Sequence, residues 1–183
     1  GLILFGPWML LFGLLVKLDS HGPAFFVQER VGENGRRFRM VKLRSMRASA
    51  EREFALAVTL NPLPGPAVKV PADPRVTPLG RWLRRWSLDE LPQLWNVLRG
   101  EMSLVGPRPE EAGVVDQYSD WHRQRLLVRP GMTGPMQING RGLLPLDERV
   151  RLELEYIQNY SIWRDVGILV KTIPAVVSGN GAY

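Results

Sequence analysis

FFVQERVGENGRRFRMVKLR, residues 25–44, decides the fold class. Residues 25–31 are rich in aromatic and β-branched side chains and read as a strand. Gly32-Glu-Asn-Gly35 is a turn, and residues 37–44 form a second strand with alternating polarity. Phe38, Met40 and Lys42 share one face of it, and Arg37, Arg39, Val41 and Leu43 share the other. One hairpin inside an otherwise helix-patterned chain points to an α+β fold, mostly helical, with a small antiparallel sheet.

Upstream lies GLILFGPWMLLFGLLV, residues 1–16, without a charge. As a helix it would span about 24 Å, short of the roughly 30 Å hydrocarbon core. Gly6-Pro7 falls inside it, and proline kinks a helix by removing a backbone donor. A re-entrant membrane helix bent at Gly6 and Pro7 fits that length and kink. A single span and a buried core helix are the competing readings. The division expected is a re-entrant helix over 1–17 and a second domain over 18–183. Between residues 17 and 47 there are eight Lys/Arg and three Asp/Glu, within a chain of net charge +6. Such a basic block suits phospholipid headgroups or nucleotide phosphates and faces the cytoplasm by the positive-inside rule.

Downstream, residues 49–60 read as helix and 61–74, with five prolines, as a loop. Thr77-Pro78 opens a short helix ending at Arg85. Residues 89–98 read as another, with Leu91, Leu94, Trp95 and Leu98 on one face and Gly100 as its stop. Residues 105–109 form a rigid loop, 114–127 a helix, 129–134 a turn and 136–140 a short strand and turn. Residues 147–160 and 162–177 are amphipathic helices, the last suited either to a membrane interface or to the core. Cysteine is absent, and the histidines are His21 and His122, which excludes thiolate zinc sites and disfavours a histidine metal centre.

Ser-Leu-Asp-Glu-Leu-Pro-Gln-Leu, residues 87–94, carries the chemistry. As structure, Asp89 would cap a helix and Glu90 would complement its dipole. As chemistry, a helix start keeps Asp89 ionised and draws phosphate to it. An ionised Asp89 can attack phosphorus to give an acyl phosphate. Glu90 can hold Mg2+, which takes one or two carboxylates plus substrate phosphates. Arg84 lies five residues upstream, and Arg108, Arg129 and Arg141 sit in Gly/Pro-rich loops, where a guanidinium suits forked contacts with phosphate.

Five blocks of the chain resemble the bacterial sugar transferases, the small monotopic phosphoglycosyl transferases. They are KLDSHGPAFFVQERVG (17–32), FRMVKLRSM (38–46), DPRVTPLGRWLRRWSLDELPQLWNVLRGEMSLVGPRP (73–109), VRPGMTGPMQINGR (128–141) and EYIQNYSIWRDVGIL (155–169). The resemblance implies transfer of a sugar 1-phosphate from a UDP-sugar to polyprenyl phosphate, with release of UMP. It implies a ping-pong route through a phosphosugar–aspartyl intermediate, requiring Mg2+, at the cytoplasmic face of the inner membrane. Asp89 matches the family's nucleophile, Glu90 its metal-binding partner, Arg84 an active-site arginine and Arg141 one that binds phosphate. Arg108, Lys42, Arg44 and Arg129 fall in matching blocks and are expected at the substrates. Pro135 stands where an aromatic residue is common, Glu153 where Asp is, and Gly6-Pro7 where Ser-Pro is.

Three other readings compete, one of them a glycosyltransferase that moves only the sugar and would release UDP rather than UMP. A catalytically inactive, membrane-associated scaffold would use Asp89 and Glu90 only as caps. A nucleic-acid binder built on residues 30–47 lacks any recognised module and leaves the apolar start without a purpose. No nucleic-acid partner is expected. The sugar, the acceptor and the oligomeric state are open.

Overall fold

The computed structural model describes residues 2–50, 52–53, 70, 73–141, 144–179 and 181. The expected helix over 49–60 and loop over 61–74 fall mostly outside these residues; what is described at 48–50 and 52–53 is turn.

The chain is α+β, as the hairpin implied. Helix α1 (Leu2–Asp19) leads into β1 (Phe25–Val31) and β2 (Arg37–Leu43). The two strands pair antiparallel, Phe25 opposite Leu43 and Val31 opposite Arg37. Their connection is a 3-10 turn, Glu33–Gly35, in which Asn34 and Gly35 both take positive φ. Phe38 and Met40, on one face of β2, are buried with Met102, while Leu43 on the other face is buried against α1 and Leu83.

Helix α1 runs unbroken through Pro7. A proline this near a helix start removes one backbone donor and need not end the helix. The helix passes the expected boundary at 17, and Phe12 and Val16 pack with Leu43 and Leu83 in the core. No helix among the described residues is long and apolar enough to cross a membrane.

After the proline-rich segment come α2 (Pro78–Arg85), a 3-10 turn (Leu88–Glu90) and α3 (Gln93–Leu98). Thr77 caps α2 by accepting from the Gly80 amide at 2.9 Å. The predicted helix over 89–98 therefore starts four residues late, because Pro92 forms the entry to α3 and Asp89 sits in the preceding turn. Gly100 ends it with φ 73, as expected.

Strand β3 (Ser103–Val105) pairs parallel with β4 (Gly131–Thr133). That second sheet was not foreseen: residues 131–133 read as turn, and residues 136–140 read as strand although α6 (Pro135–Ile138) is helical. Pro135 sits at the first position of α6, where its missing N–H has no cost. The predicted helix over 114–127 is three short pieces: α4 (Ala112–Val115), α5 (Asp120–Arg123) and a 3-10 turn (Gln124–Leu127). Ser119 breaks it, because its side chain caps the amide of His122.

The chain closes with α7 (Leu146–Gln158) and α8 (Ile162–Ser178). Helix α8 buries Ile168 and exposes Ile162, Trp163, Val166, Val170, Ile173 and Val177. Helix α3 is turned the same way. Its polar Gln93 and Asn96 are buried while Trp95 and Leu98, of the apolar face the spacing marked, are exposed.

Candidate active site

The acid pair is placed by three segments. Ser87 takes a left-handed φ of 54, which reverses the chain after α2 and starts the turn holding Asp89 and Glu90. Leu88 and Leu91, on either side of the pair, pack into the Phe12–Leu83 cluster. Helix α2 lies backbone to backbone on the segment after β2: a Cβ at Gly80 would stand 2.0 Å from the Ser45 carbonyl oxygen. That approach lets Arg84 Nε donate to Ser45 Oγ at 2.8 Å.

The hairpin is sewn to α3 by the buried Asn96. Its Nδ2 donates to the Arg39 carbonyl at 2.8 Å and its Oδ1 accepts from the Val41 amide at 3.1 Å. Lys42, the next residue, then reaches Glu90, with Nζ 3.0 Å from Oε1.

The third segment is Gly106-Pro107-Arg108-Pro109. Added Cβ atoms at Gly106, Gly131 and Gly134 would lie 2.6 Å or less from backbone atoms across the β3–β4 crossing, so only glycine allows it. The loop delivers Arg108 Nη2 to the same Glu90 Oε1 at 2.8 Å. Arg141, also left-handed at φ 52, donates from Nη2 to Ser87 Oγ at 2.9 Å, while its Nη1 is buried with no partner among the described residues.

These contacts make the two carboxylates different. Burial opposes ionisation of Glu90, but Arg108 and Lys42 outweigh it and hold Glu90 far below the ordinary carboxylate range. Asp89 is more deeply buried, at 7 % exposure, and among the described residues no side chain hydrogen-bonds to it. Burial, then the charge of Glu90, pushes its pKa up against the weaker pull of Lys42, Arg84 and Arg108. The expected helix start is the 3-10 turn Leu88–Glu90, with α3 beginning only at Gln93, and burial rather than a helix dipole is the largest influence on Asp89. A carboxylate that ionises in such a place is a more basic nucleophile than a solvated one.

Among the described residues no group of three His, Cys, Asp or Glu could hold a metal alone. The pair nonetheless fits a hard cation. Both bonds to Glu90 use Oε1, which leaves Oε2 and the oxygens of Asp89 as donors, and Mg2+ completes its shell with water and phosphate.

Of the residues singled out, Lys42, Arg84, Arg108 and Arg141 converge on the pair. Arg44 and Arg129 do not. Arg44 donates to the carbonyls of Pro23 and Ser20 at 2.6 and 2.8 Å and to Ser20 Oγ at 2.6 Å, closing the C-terminal end of α1. Arg129 is exposed and faces Glu33 at 3.4 Å. Gly6 and Pro7 lie far along α1, with nothing within 4 Å of a Cβ at Gly6. Ser45 and Ser87 were missed; no local pattern marks a serine that will hold an arginine across the fold. Glu153, Arg125, Glu110 and Arg149 were missed as well and form a buried ion network beside Arg108.

The site is an adjacent carboxylate pair, one member held by two cations, on a small α+β frame with outward apolar helices. Residues 1–179 match the family model described as bacterial sugar transferase, and the chain belongs to that family. It is 42% identical over 183 residues to the galactosyl transferase CpsE of Streptococcus agalactiae, covering all of this chain and 40% of that protein. It is 39% identical over 186 residues to the undecaprenyl-phosphate galactose phosphotransferase of Salmonella typhimurium, again covering all of this chain and 39% of that protein. The exopolysaccharide production protein ExoY of Rhizobium meliloti is 41% identical over 187 residues, covering all of this chain and 83% of that protein. The chain thus spans about two fifths of the first two relatives and most of the third.

Proposed function

We propose that this chain is a phosphoglycosyl transferase core that moves a sugar 1-phosphate from a UDP-sugar to polyprenyl phosphate. The observation that carries the reading is the inequality of the two carboxylates: Glu90 is locked by two cations, and Asp89 beside it is buried with no side-chain hydrogen bond among the described residues. Relatives named as undecaprenyl-phosphate sugar phosphotransferases support the substrates.

In the proposed route a carboxylate oxygen of Asp89 attacks the phosphorus that bears the sugar. The bond from that phosphorus to the bridging oxygen breaks, and UMP leaves with the electron pair. The phosphosugar is then held on Asp89 as an acyl phosphate. A phosphate oxygen of the polyprenyl acceptor attacks the same phosphorus, the bond to Asp89 breaks, and the carboxylate is restored with a polyprenyl diphosphate sugar as product. Arg84, Arg108 and Arg141 supply positive charge for the phosphoryl oxygens. Asp89 and Glu90 would hold Mg2+, which when bound neutralises the diphosphate and the charge growing on the leaving group.

The outward apolar faces support a seat at a membrane surface, where a lipid acceptor and a soluble donor can reach one site. Trp8, Leu10, Leu14 and Leu18 of α1 are exposed, as are Trp163, Val170 and Ile173 of α8. Helix α1, about 27 Å long at 1.5 Å per residue, is proposed to enter the bilayer and return rather than cross it. The basic block beyond Lys17 would face anionic lipid on the cytoplasmic side.

The test is nucleotide release by detergent-purified protein given Mg2+, polyprenyl phosphate and a panel of UDP-sugars. UMP released with one donor supports the reading. UDP would mean transfer of the sugar alone and would remove the role of Asp89. Neither nucleotide with any donor would favour the scaffold.

A further inference from the structure

Arg108 carries half of the grip on Glu90, and its own backbone is gripped in turn. Its amide donates to Glu153 Oε1 at 3.0 Å, and its carbonyl accepts from Arg125 Nη2 at 2.8 Å. The two gripping side chains hold each other: Arg125 Nη2 donates to Glu153 Oε1 at 2.9 Å, and Arg125 Nε lies 2.6 Å from Glu153 Oε2. Arg125 Nη1 donates to the Tyr118 hydroxyl. Arg125 comes from the turn Gln124–Leu127 and Glu153 from α7, so two elements remote in sequence meet at one peptide. Arg125 is 2 % exposed and Glu153 0 %.

Stability does not explain why this pair is charged. A buried ion pair costs several kcal/mol of desolvation, and apolar residues of the same volume are often as stable or more so. An apolar pair could not hold an amide and a carbonyl of the same residue. The flanking prolines make this demand sharper: Pro107 and Pro109 cannot donate, so the N–H of Arg108 is the one backbone donor in that tripeptide. Helix α7 therefore holds the backbone of the residue whose guanidinium reaches Glu90.

We infer that Glu153 and Arg125 form a clamp on the Arg108 peptide and are positioning residues for the acid pair. Their effect passes from α7 through Arg108 to Glu90. Glu153→Gln keeps the volume and one acceptor for the amide, but loses the charge that orients Arg125. This inference rests on the proposed role of the acid pair.

The experiment compares Glu153→Gln with Arg149→Met, alone and in an Arg108→Lys background, in the full chain. Arg149 is equally buried and pairs with Glu110 at 3.0 Å, but makes no bond to the Arg108 peptide. The readouts are UMP release at saturating donor and thermal midpoint. Glu153→Gln is expected to lower kcat by about 10- to 100-fold with little change in KM. In the Arg108→Lys background the same change should cost under about 3-fold, because the path to Glu90 is already broken. Arg149→Met should lower the midpoint comparably and kcat by under about 3-fold. Equal loss from Glu153→Gln in both backgrounds, or kcat that follows the midpoint for both variants, would overturn the clamp. If the unmodified protein releases UDP or no nucleotide, the reading of the acid pair falls first and the clamp with it. A Glu153→Gln chain that does not fold is replaced by Arg125→Lys, which must show the same dependence on Arg108.

Discussion

The acid-pair region and the outer faces of α1, α3 and α8 follow opposite rules. Around Asp89 and Glu90 the interior holds charge, with Arg125 and Glu153 buried and Lys42 and Arg108 partly buried. On the outer faces, tryptophan and branched aliphatic side chains stand exposed, Trp163 at 79 %. Helix α3 shows the reversal within six residues, its Gln93 and Asn96 inside and its Trp95 and Leu98 outside. A fold whose partner were water alone would gain from the opposite arrangement. The contrast fits the proposed reading of a phosphate-handling interior beside a lipid-facing exterior.

The comparison can be broken at either end. The largest effect is expected from Asp89→Asn, which should lower UMP release by at least about 10³-fold, because an amide does not attack phosphorus. The same variant should melt higher than the unmodified protein near neutral pH. The sign follows from the raised pKa of Asp89: a group raised in the folded state stabilises below its unfolded pKa and loses that stabilisation as pH rises through its folded value. At neutral pH the buried carboxylate is a cost that asparagine removes. Calorimetry showing a lower midpoint would contradict this account of the site.

Glu90→Gln comes next, with a loss of about 10²-fold in turnover and a weaker response to Mg2+ titration. A normal Mg2+ response would take Glu90 out of the metal site. On the exterior, Trp163→Glu with Ile173→Glu should weaken binding to vesicles containing anionic lipid by about 10-fold or more, at about 1.5–3 kcal/mol per buried side chain. Cosedimentation unchanged by that double substitution would mean the apolar faces serve another purpose. Arg44→Gln should act on stability rather than chemistry. It removes charged donors from the end of α1 and should cost about 2–4 kcal/mol in denaturant melts, with kcat of the folded fraction kept within about 3-fold. The smallest effect is on pH: the acid limb of kcat/KM should lie above 3.8, the ordinary value for Asp, because burial and Glu90 raise Asp89.

Much of the frame was legible because its signals are local. The hairpin followed from alternation, α2 from Thr77-Pro78, and the end of α3 from Gly100. Asp89 and Glu90 stood out as adjacent carboxylates before a proline. What failed was whatever depends on distant partners. Residues 131–133 become a strand only because β3 lies beside them, and a three-residue strand has too short a period to read. The apolar spacing of α3 marked Trp95 and Leu98 as one face, but spacing cannot say which medium that face meets, and both are exposed. Arg44 and Arg108 look alike in sequence, each in a basic or proline-rich stretch. Only the fold sends one to helix-end carbonyls and the other to Glu90. The clamp on Arg108 joins residues up to 45 positions apart and has no sequence signature.

The central claim is that Asp89 becomes covalently loaded. The most direct measurement is intact and peptide mass spectrometry of the protein incubated with Mg2+ and its UDP-sugar, without polyprenyl acceptor. The account predicts a phosphosugar mass on the peptide containing Asp89, one UMP released per loaded chain, and loss of the adduct when polyprenyl phosphate is added. UMP release that requires the acceptor, with no adduct on Asp89 at any time, would contradict it.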